Sequence, residues 1–239
     1  MARFVLCFFL LIPVFVRADI AADTVSHAAF DALLKKYVTP AGVVNYKGFI
    51  QDKVAFQAYL DLLSQHAPQA DWSYEHRLSY WINAYNAFTI KLIMDNYPVK
   101  SIRDLHQGKP WDHKFIKIGT QTYSLNDIEH NILRKQFSEP RIHFAINCAS
   151  KSCPPLLNQA YTAASVGRQL DRVARTFIRN TRLNTFTAQA AEVSSIFDWY
   201  KDDFTKKGTL IAYLNKYASV QLSADAVITY KSYDWSLNE

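Results

Sequence analysis

The segment YEHRLSYWINAYNAFTIKLIMDNYP, residues 74–98, repeats large side chains at helical spacing over several turns. Pro98 closes the pattern, because a proline inside a helix removes a backbone hydrogen bond and clashes with the preceding turn. So broad a stripe is typical of a helix that is buried on most sides. The segment is therefore predicted to contain the central helix of the fold. The stripe consists of Leu78, Trp81, Ile82, Tyr85, Thr89, Leu92 and Ile93.

Shorter helical and strand-like patterns lie on both sides of this segment. Helical spacing recurs in residues 24–70 and in residues 166–177. Gly119 and Thr120 have the composition of a hairpin turn between two strand-like runs. Further strand-like runs occur in residues 183–197 and 226–230. Because helices and strands do not alternate regularly, the sequence predicts an α+β fold, a helix-rich single domain around a small antiparallel or mixed sheet.

The N-terminus has the parts of a secretory signal peptide. Arg3 precedes an apolar run, and Val16 and Ala18 occupy the −3 and −1 positions of a cleavage site. The run is shorter than the roughly 20 apolar residues that a membrane-spanning helix needs. We therefore expect residues 1–18 to be a cleaved signal peptide. The protein is then periplasmic or secreted, and it does not span the membrane after cleavage.

The rest of the chain, residues 19–239, has a length typical of one domain. Its core is expected over about residues 74–239, with a helical N-terminal part over residues 24–70. The formal charge of the whole chain is +6, and loss of Arg3 and Arg17 lowers it to +4. No basic run is interleaved with stacking aromatic residues, so a nucleic-acid partner is not predicted. No cofactor is predicted either.

The stretch RIHFAINCASKSCPP, residues 141–155, holds the two cysteines that remain after signal cleavage and a nearby histidine. Apolar and polar residues alternate from Ile142 to Asn147, which predicts a strand. His143 and Asn147 would share one face of that strand. The following residues form a loop, because Pro154 and Pro155 cannot continue strand pairing. A functional site is expected where the strand meets this loop.

Several roles are open for Cys148 and Cys153. A secreted chain meets oxidising conditions, and the spacing permits a disulfide. The alternative is a thiol nucleophile with His143 as its base. In that case Cys153 is slightly favoured as the reactive thiol, because it can reach the histidine face without a twist of the strand. Redox exchange and metal binding with His130 are weaker alternatives, because the cysteine spacing is unusual for both.

An acyl-transfer site also needs hydrogen-bond donors for an oxyanion. Asn147, the loop amides around Ser152, or Asn83 and Asn86 could supply them. The last two lie three residues apart and share a helix face. They could equally be buried amides that tie their helix to neighbouring backbone.

Glu129 and His130 form a second polar pair in the sequence. His130 lies four residues before Arg134, which indicates a polar helix face. A solvated histidine beside an arginine is one interpretation of this spacing. The other makes His130 the second candidate catalytic histidine. Asp234 is a weaker candidate for a site residue, with the role of orienting a histidine.

Five blocks of the sequence, from about residue 74 to the C-terminus, resemble successive blocks of the DUF547 family. They are SYWINAYNAFTI (79–90), YSLNDIEHNILR (123–134), PRIHFAINCASKSCPPL (140–156), VSSIFDWYKDDF (193–204) and YDWSLN (233–238). The motif positions that match are Asn83, Asn86, Glu129, His130, His143, Cys148, Ser152, Cys153 and Pro154.

The resemblance implies a domain of unknown function that occurs in secreted bacterial proteins and at the C-terminus of plant proteins. It also suggests a distant kinship with the papain/transglutaminase-type fold. Those enzymes place the cysteine well before the histidine, whereas here His143 precedes Cys148.

Two functional hypotheses follow from the sequence. The favoured one is a thiol-dependent acyl transferase or hydrolase acting on peptide-like envelope material. The alternative is a non-catalytic binding or scaffold domain with a Cys148–Cys153 disulfide, recognising an envelope peptide or glycan.

Overall fold

The central helix is α4, Tyr74–Asp95, in a computed structural model that describes residues 25–239. Its N-terminus is capped by Ser73, whose side chain accepts a hydrogen bond from the backbone amide of His76. Every residue from Leu78 to Ile90 is buried, so the predicted central helix is confirmed. The expected signal peptide, residues 1–18, lies outside the described residues.

The N-terminal part contains three helices: α1 (Ala28–Tyr37), α2 (Tyr46–Gln51) and α3 (Lys53–Gln65). Helices α2 and α3 pack against α4, and α1 packs against α2 and α3. Helix α2 is capped by Asn45, whose side chain accepts from the amide of Gly48. A Cβ atom at Gly48 would lie 2.2 Å from the ring of Tyr37. The close approach of α1 and α2 therefore requires a glycine at this position.

Two small sheets complete the α+β fold. The first is a hairpin of β1 (Ile116–Ile118) and β2 (Gln121–Tyr123), which turns at Gly119 and Thr120 as predicted. The second contains β3 (Thr185–Phe186), β4 (Ala190–Ser194) and β5 (Val227–Lys231). Strands β3 and β4 are antiparallel, and β4 and β5 are parallel. The predicted fold class is confirmed, with two sheets in place of one.

The remaining helices are short, apart from α6. A π-helix, Asp127–Leu133, runs directly into α5 (Arg134–Gln136), and a 3₁₀ helix spans Pro140–Phe144. Three single 3₁₀ turns lie between α4 and β1. The α-helices are α5 (Arg134–Gln136), α6 (Val166–Ile178), α7 (Ile196–Trp199), α8 (Lys201–Thr205) and α9 (Leu210–Asn215).

One hydrophobic core joins these elements, and it extends from Val25 to Leu237. The N-terminal helices therefore share a core with the segments that carry the family resemblance. Within residues 25–239, no helix combines the length and the apolar character needed to cross a membrane.

The strand predicted over residues 141–147 is wrong. Pro140 begins a 3₁₀ helix there, and Glu139 caps it by accepting a hydrogen bond from the amide of Arg141. Ile142, His143 and Phe144 are all buried, because the segment is enclosed on every side. Alternation identifies a strand only when one face meets water, so the pattern was misleading here. His143 and Asn147 consequently do not share a strand face.

Trp81→Ala tests the role of α4 in the core. Trp81 is buried and makes edge-to-face contacts with Tyr80 and Tyr123 at ring separations of 5.3 and 5.6 Å. Because the substitution leaves a large cavity, we expect a loss of about 3–5 kcal/mol in the free energy of unfolding. Chemical denaturation measures this value. Val54→Ala, at an exposed position of α3, should change it by less than about 0.5 kcal/mol. Similar losses in both variants would contradict the placement of Trp81.

Candidate active site

One cavity of about 200 Å³ brings together five of the residues that the sequence analysis singled out. Two elements contribute them: the π-helix and the segment from the 3₁₀ helix through the cysteine loop. The five residues are Glu129, His130, His143, Cys148 and Cys153.

The π-helix explains how two consecutive residues, Glu129 and His130, both line the cavity. A π-helix has more residues per turn than an α-helix, so neighbouring side chains diverge less. Ser124 and Asp127 fix the start of this helical segment. The Ser124 hydroxyl accepts from the Asp127 amide at 3.0 Å, and the Asp127 carboxylate accepts from the Ser124 amide at 3.0 Å. Such π-helical segments occur frequently at functional sites.

His143 is held by Asp203, a residue of α8 that the sequence analysis did not single out. The Nε2 atom of His143 lies 2.8 Å from Oδ2 of Asp203. Because an ionised carboxylate only accepts hydrogen bonds, the imidazole proton belongs on Nε2. Nδ1 is then unprotonated, and it is buried with no hydrogen-bond partner. Burial lowers the pKa of His143 and keeps the ring neutral.

Asp203 carries a negative charge that several partners stabilise. Its carboxylate accepts from Nε of Arg134 at 2.6 Å and lies 3.0 Å from Nζ of Lys206. Burial opposes ionisation, but the hydrogen bonds from His143, Arg134 and Lys206 lower the pKa of Asp203 well below its usual range. Arg134 also contacts Nδ1 of His130 at 2.9 Å. A continuous network therefore joins His130, Arg134, Asp203 and His143.

Asp234 does not take part in this network. Its carboxylate accepts hydrogen bonds from the amide and hydroxyl of Ser236. The suggestion that Asp234 orients a histidine is therefore wrong. Asp203 was within reach of sequence reasoning only through its place in the block VSSIFDWYKDDF, since nothing local links it to His143.

Cys148 is half-buried and has hydroxyl groups around its sulfur. Sγ lies 3.1 Å from the hydroxyl of Ser150 and 3.2 Å from that of Tyr233. Burial disfavours the thiolate, but hydrogen bonds from Cys153, Ser150 and Tyr233 outweigh it and lower the pKa of Cys148. The hydroxyl donors thus stabilise the Cys148 thiolate, as a neighbouring cation does at other reactive cysteines.

Cys153 has the opposite character. It is buried, and its sulfur accepts a hydrogen bond from the backbone amide of Cys148 at 2.9 Å. Burial, and then the proximity of Cys148, raises the pKa of the Cys153 thiol well above its usual value. Exposure and the directions of the two pKa shifts therefore favour Cys148 as the more acidic thiol, whereas the prediction that Cys153 is the reactive one stays a prediction.

Both thiols are free in the structure. The sulfur atoms are not at bonding distance, so the disulfide of the binding-domain hypothesis is not seen. Among residues 25–239, no group of three or more His, Cys, Asp or Glu side chains is arranged to hold a metal ion.

The asparagines of α4 hold backbone segments in place. Asn83 makes two hydrogen bonds to the backbone of Tyr161, at 2.8 and 2.9 Å. Asn86 donates to the carbonyl of Ala145 and accepts from the amide of Asn147, at 2.9 and 2.8 Å. Both follow the alternative interpretation, in which buried amides tie the helix to neighbouring backbone. One N–H of each side-chain amide is therefore committed to the backbone.

Asn147 and Ser152 are also engaged within the loop. Nδ2 of Asn147 donates to the carbonyl of Pro154, and its Oδ1 accepts from the amide of Ala149, both at 2.9 Å. The Ser152 hydroxyl accepts from the amide of Asp234 at 2.9 Å. The donors that the sequence suggested for an oxyanion are therefore structural ones.

The C-terminal segment, residues 234–238, runs beside the cysteine loop. The Lys151 amide donates to the Ser236 carbonyl at 2.8 Å, and Nδ2 of Asn238 donates to Oδ1 of Asn147 at 3.1 Å. Between these contacts Ala149 has a φ of 61°. A non-glycine residue is strained in this left-handed region, and the surrounding hydrogen bonds hold it there.

Aromatic rings form the walls of the cavity, and sequence analysis did not assign them. Tyr233 lies 4.5 Å from Trp235 and 4.8 Å from Trp199 between ring centres, and Trp111 lies 5.6 Å from Trp235. Tyr200 stacks on the ring of His143 at 3.9 Å. The blocks DWY and YDW were the available signal. Trp199 is 47 % exposed, so the aromatic surface reaches the solvent.

The family model described as "Protein of unknown function, DUF547" matches residues 69–178. This match confirms the resemblance for the three blocks within that range, and the blocks at 193–204 and 233–238 lie outside it. No curated protein and no solved structure shows detectable similarity to the chain, and the kinship with the papain/transglutaminase-type fold stays a prediction. Residues 69–178 of the chain are thus similar to the DUF547 family, whose function is described as unknown.

Proposed function

We propose that the protein is a thiol-dependent acyl transferase or hydrolase with Cys148 as its nucleophile. The observation that supports this most directly is the state of His143. Its Nε2 is hydrogen-bonded to Asp203, and its unprotonated Nδ1 has no hydrogen-bond partner. His143 and Cys148 line the same cavity. A neutral, oriented imidazole with a free lone pair is what a general base requires.

The reaction proceeds in two steps. His143 takes the thiol proton of Cys148 on Nδ1, and the sulfur attacks the carbonyl carbon of an acyl donor. The bond to the leaving group breaks, the leaving group takes the proton from Nδ1, and a thioester remains. Water or another acceptor then attacks the thioester, gives a proton to Nδ1, and releases the sulfur of Cys148.

Asp203 stabilises the imidazolium that forms in each step. Its negative charge lies 2.8 Å from Nε2 and is balanced by Arg134 and Lys206. Tyr200 also lines the cavity, and burial, then the charge and hydrogen bonding of Glu129, raise its pKa and keep its hydroxyl protonated.

Peptide-like envelope material is the substrate class that we propose. It depends on the signal-peptide pattern of residues 1–18, which would carry the protein to the periplasm or outside the cell. The aromatic walls suit an extended ligand with alternating apolar and polar groups.

The aromatic walls also favour the alternative, a binding domain for an envelope peptide or glycan. In that version the cavity binds its ligand without covalent chemistry, and Cys148 and His143 serve only to shape it. Acylation of Cys148 distinguishes the two functions.

Acylation is tested with p-nitrophenyl acetate and intact-mass analysis. We expect a burst of p-nitrophenolate and one acetyl group on Cys148, because the thiol is activated and half-buried. His143→Gln should slow the burst by about 10²-fold or more, since it removes the general base. His66→Gln, at an exposed position, is the matched control. Acetylation elsewhere, or an unchanged burst in Cys148→Ala, would favour the binding domain.

The pH dependence of alkylation tests the environment of Cys148. Iodoacetamide reacts with the thiolate, so we expect the Cys148 rate to rise with a midpoint below the usual thiol pKa of 9.0. Tyr233→Phe removes a hydroxyl that stabilises the thiolate. The midpoint should therefore move up, by about one pH unit. Tyr230→Phe, on the exposed side of β5, should leave the midpoint unchanged. A downward shift in Tyr233→Phe would contradict the assignment.

A further inference from the structure

Glu129 is a buried carboxyl group whose hydrogen bonding is incomplete. Only 4 % of the residue is exposed, and it lines the same cavity as Cys148. Its Oε2 accepts from the hydroxyl of Tyr85 at 3.2 Å, and the Tyr200 hydroxyl lies near the carboxylate, but Oε1 is buried and makes no hydrogen bond of its own. A carboxylate in such surroundings is stable only when a donor or cation completes it.

The two cationic side chains of the network around Asp203, Arg134 and Lys206, are committed to other groups. Arg134 acts on Glu129 through its charge, but its hydrogen bonds go to Asp203 and His130. Lys206 lies against Asp203. The missing partner of Glu129 is therefore expected to come from a ligand.

His143 adds a second unpartnered acceptor to this cavity. With its proton on Nε2, its Nδ1 can only accept a hydrogen bond. Two buried acceptors in one cavity fit a group that has several N–H donors. A primary ammonium group has three donors and a positive charge, and the aromatic walls would favour that charge as well.

We propose that the cavity binds the primary ammonium group of an alkylamine, which acts as the acyl acceptor of the reaction. This inference deepens the proposed function and depends on it for the transfer step, although ammonium binding itself does not. The alkyl chain lies along the aromatic walls toward exposed Trp199. The acceptor is therefore an aminoalkyl side chain on a longer molecule, such as a lysine-like residue of a peptide.

Glu129 and His143 together account for the protons that the transfer step releases. An ammonium group must lose two protons to become the nitrogen of an amide. Glu129 takes the first and yields the free amine, which attacks the thioester carbonyl. His143 takes the second on Nδ1 as the carbon–sulfur bond breaks. An amide and the thiolate of Cys148 result, and both protons then pass to solvent.

Butylamine is the probe for this acceptor, with butanol as its neutral match. At neutral pH butylamine is protonated, as lysine is. We expect butylamine to protect Cys148 from iodoacetamide at a concentration at least tenfold lower than butanol. With p-nitrophenyl acetate as donor, turnover should rise to saturation with butylamine, and N-butylacetamide should form.

Glu129→Gln is the matched variant, because it keeps the shape and removes the charge. We expect it to weaken protection by butylamine at least tenfold, whereas Glu75→Gln, at an exposed position of α4, should retain it. If Glu129→Gln does not fold, the test is the comparison in the unmodified protein. Protection of Cys148 by butylamine at a concentration at least tenfold lower than butanol then supports ammonium binding, and equal protection contradicts it.

The outcomes separate this inference from the proposed function. A burst with equal protection by butylamine and butanol overturns the acceptor and leaves acylation intact. Selective protection without a burst supports ammonium binding and overturns the acyl-transfer step. If saturating butylamine gives only hydrolysis and no N-butylacetamide, the amine is not the acyl acceptor.

Discussion

The side chain of Asn147 is the constraint on which the site depends. Its amide joins both ends of the cysteine loop, by accepting from the backbone of Ala149 and donating to that of Pro154. Asn86 on α4 binds the backbone amide of Asn147, and Asn238 near the C-terminus donates to its side chain. Because these groups are buried, any other loop conformation would leave polar atoms unpaired. Cys148 is thereby fixed between the central helix and the C-terminal segment.

This network separates the structural amides from the chemical groups. The side chains of Asn83, Asn86 and Asn147 each donate to and accept from backbone groups, so their first role is to hold the backbone. Several buried polar atoms of the described residues have no partner, and two of them, Nδ1 of His143 and Oε1 of Glu129, belong to residues that line the cavity. Buried polar atoms without partners are rare in folded proteins. Their coincidence with a thiol of lowered pKa is the basis of the functional proposals.

Local patterns in the sequence predicted much of the fold. Helix α4 and the β1–β2 hairpin were recognisable because each is specified by its own residues, through helical spacing and a glycine turn. The 3₁₀ helix Pro140–Phe144 was not, because a short apolar run enclosed on all sides has no periodicity that distinguishes helix from strand. Cys148 and His143 were found by residue type and spacing. Asp203 was missed, because its contact with His143 is made only by the folding of α8 against the 3₁₀ helix.

The most direct test of this account is the protonation state of His143, measured by ¹⁵N NMR of the imidazole. The account expects a neutral ring at pH 6.5 with the proton on Nε2 and a bare Nδ1, because burial lowers the pKa and Asp203 accepts from Nε2. Asp203→Asn should disturb this tautomer, and Asp202→Asn, at the exposed neighbouring position, should preserve it. A proton on Nδ1 in the unmodified protein, or an imidazolium at pH 6.5, would contradict the assignment of His143 as the base for Cys148.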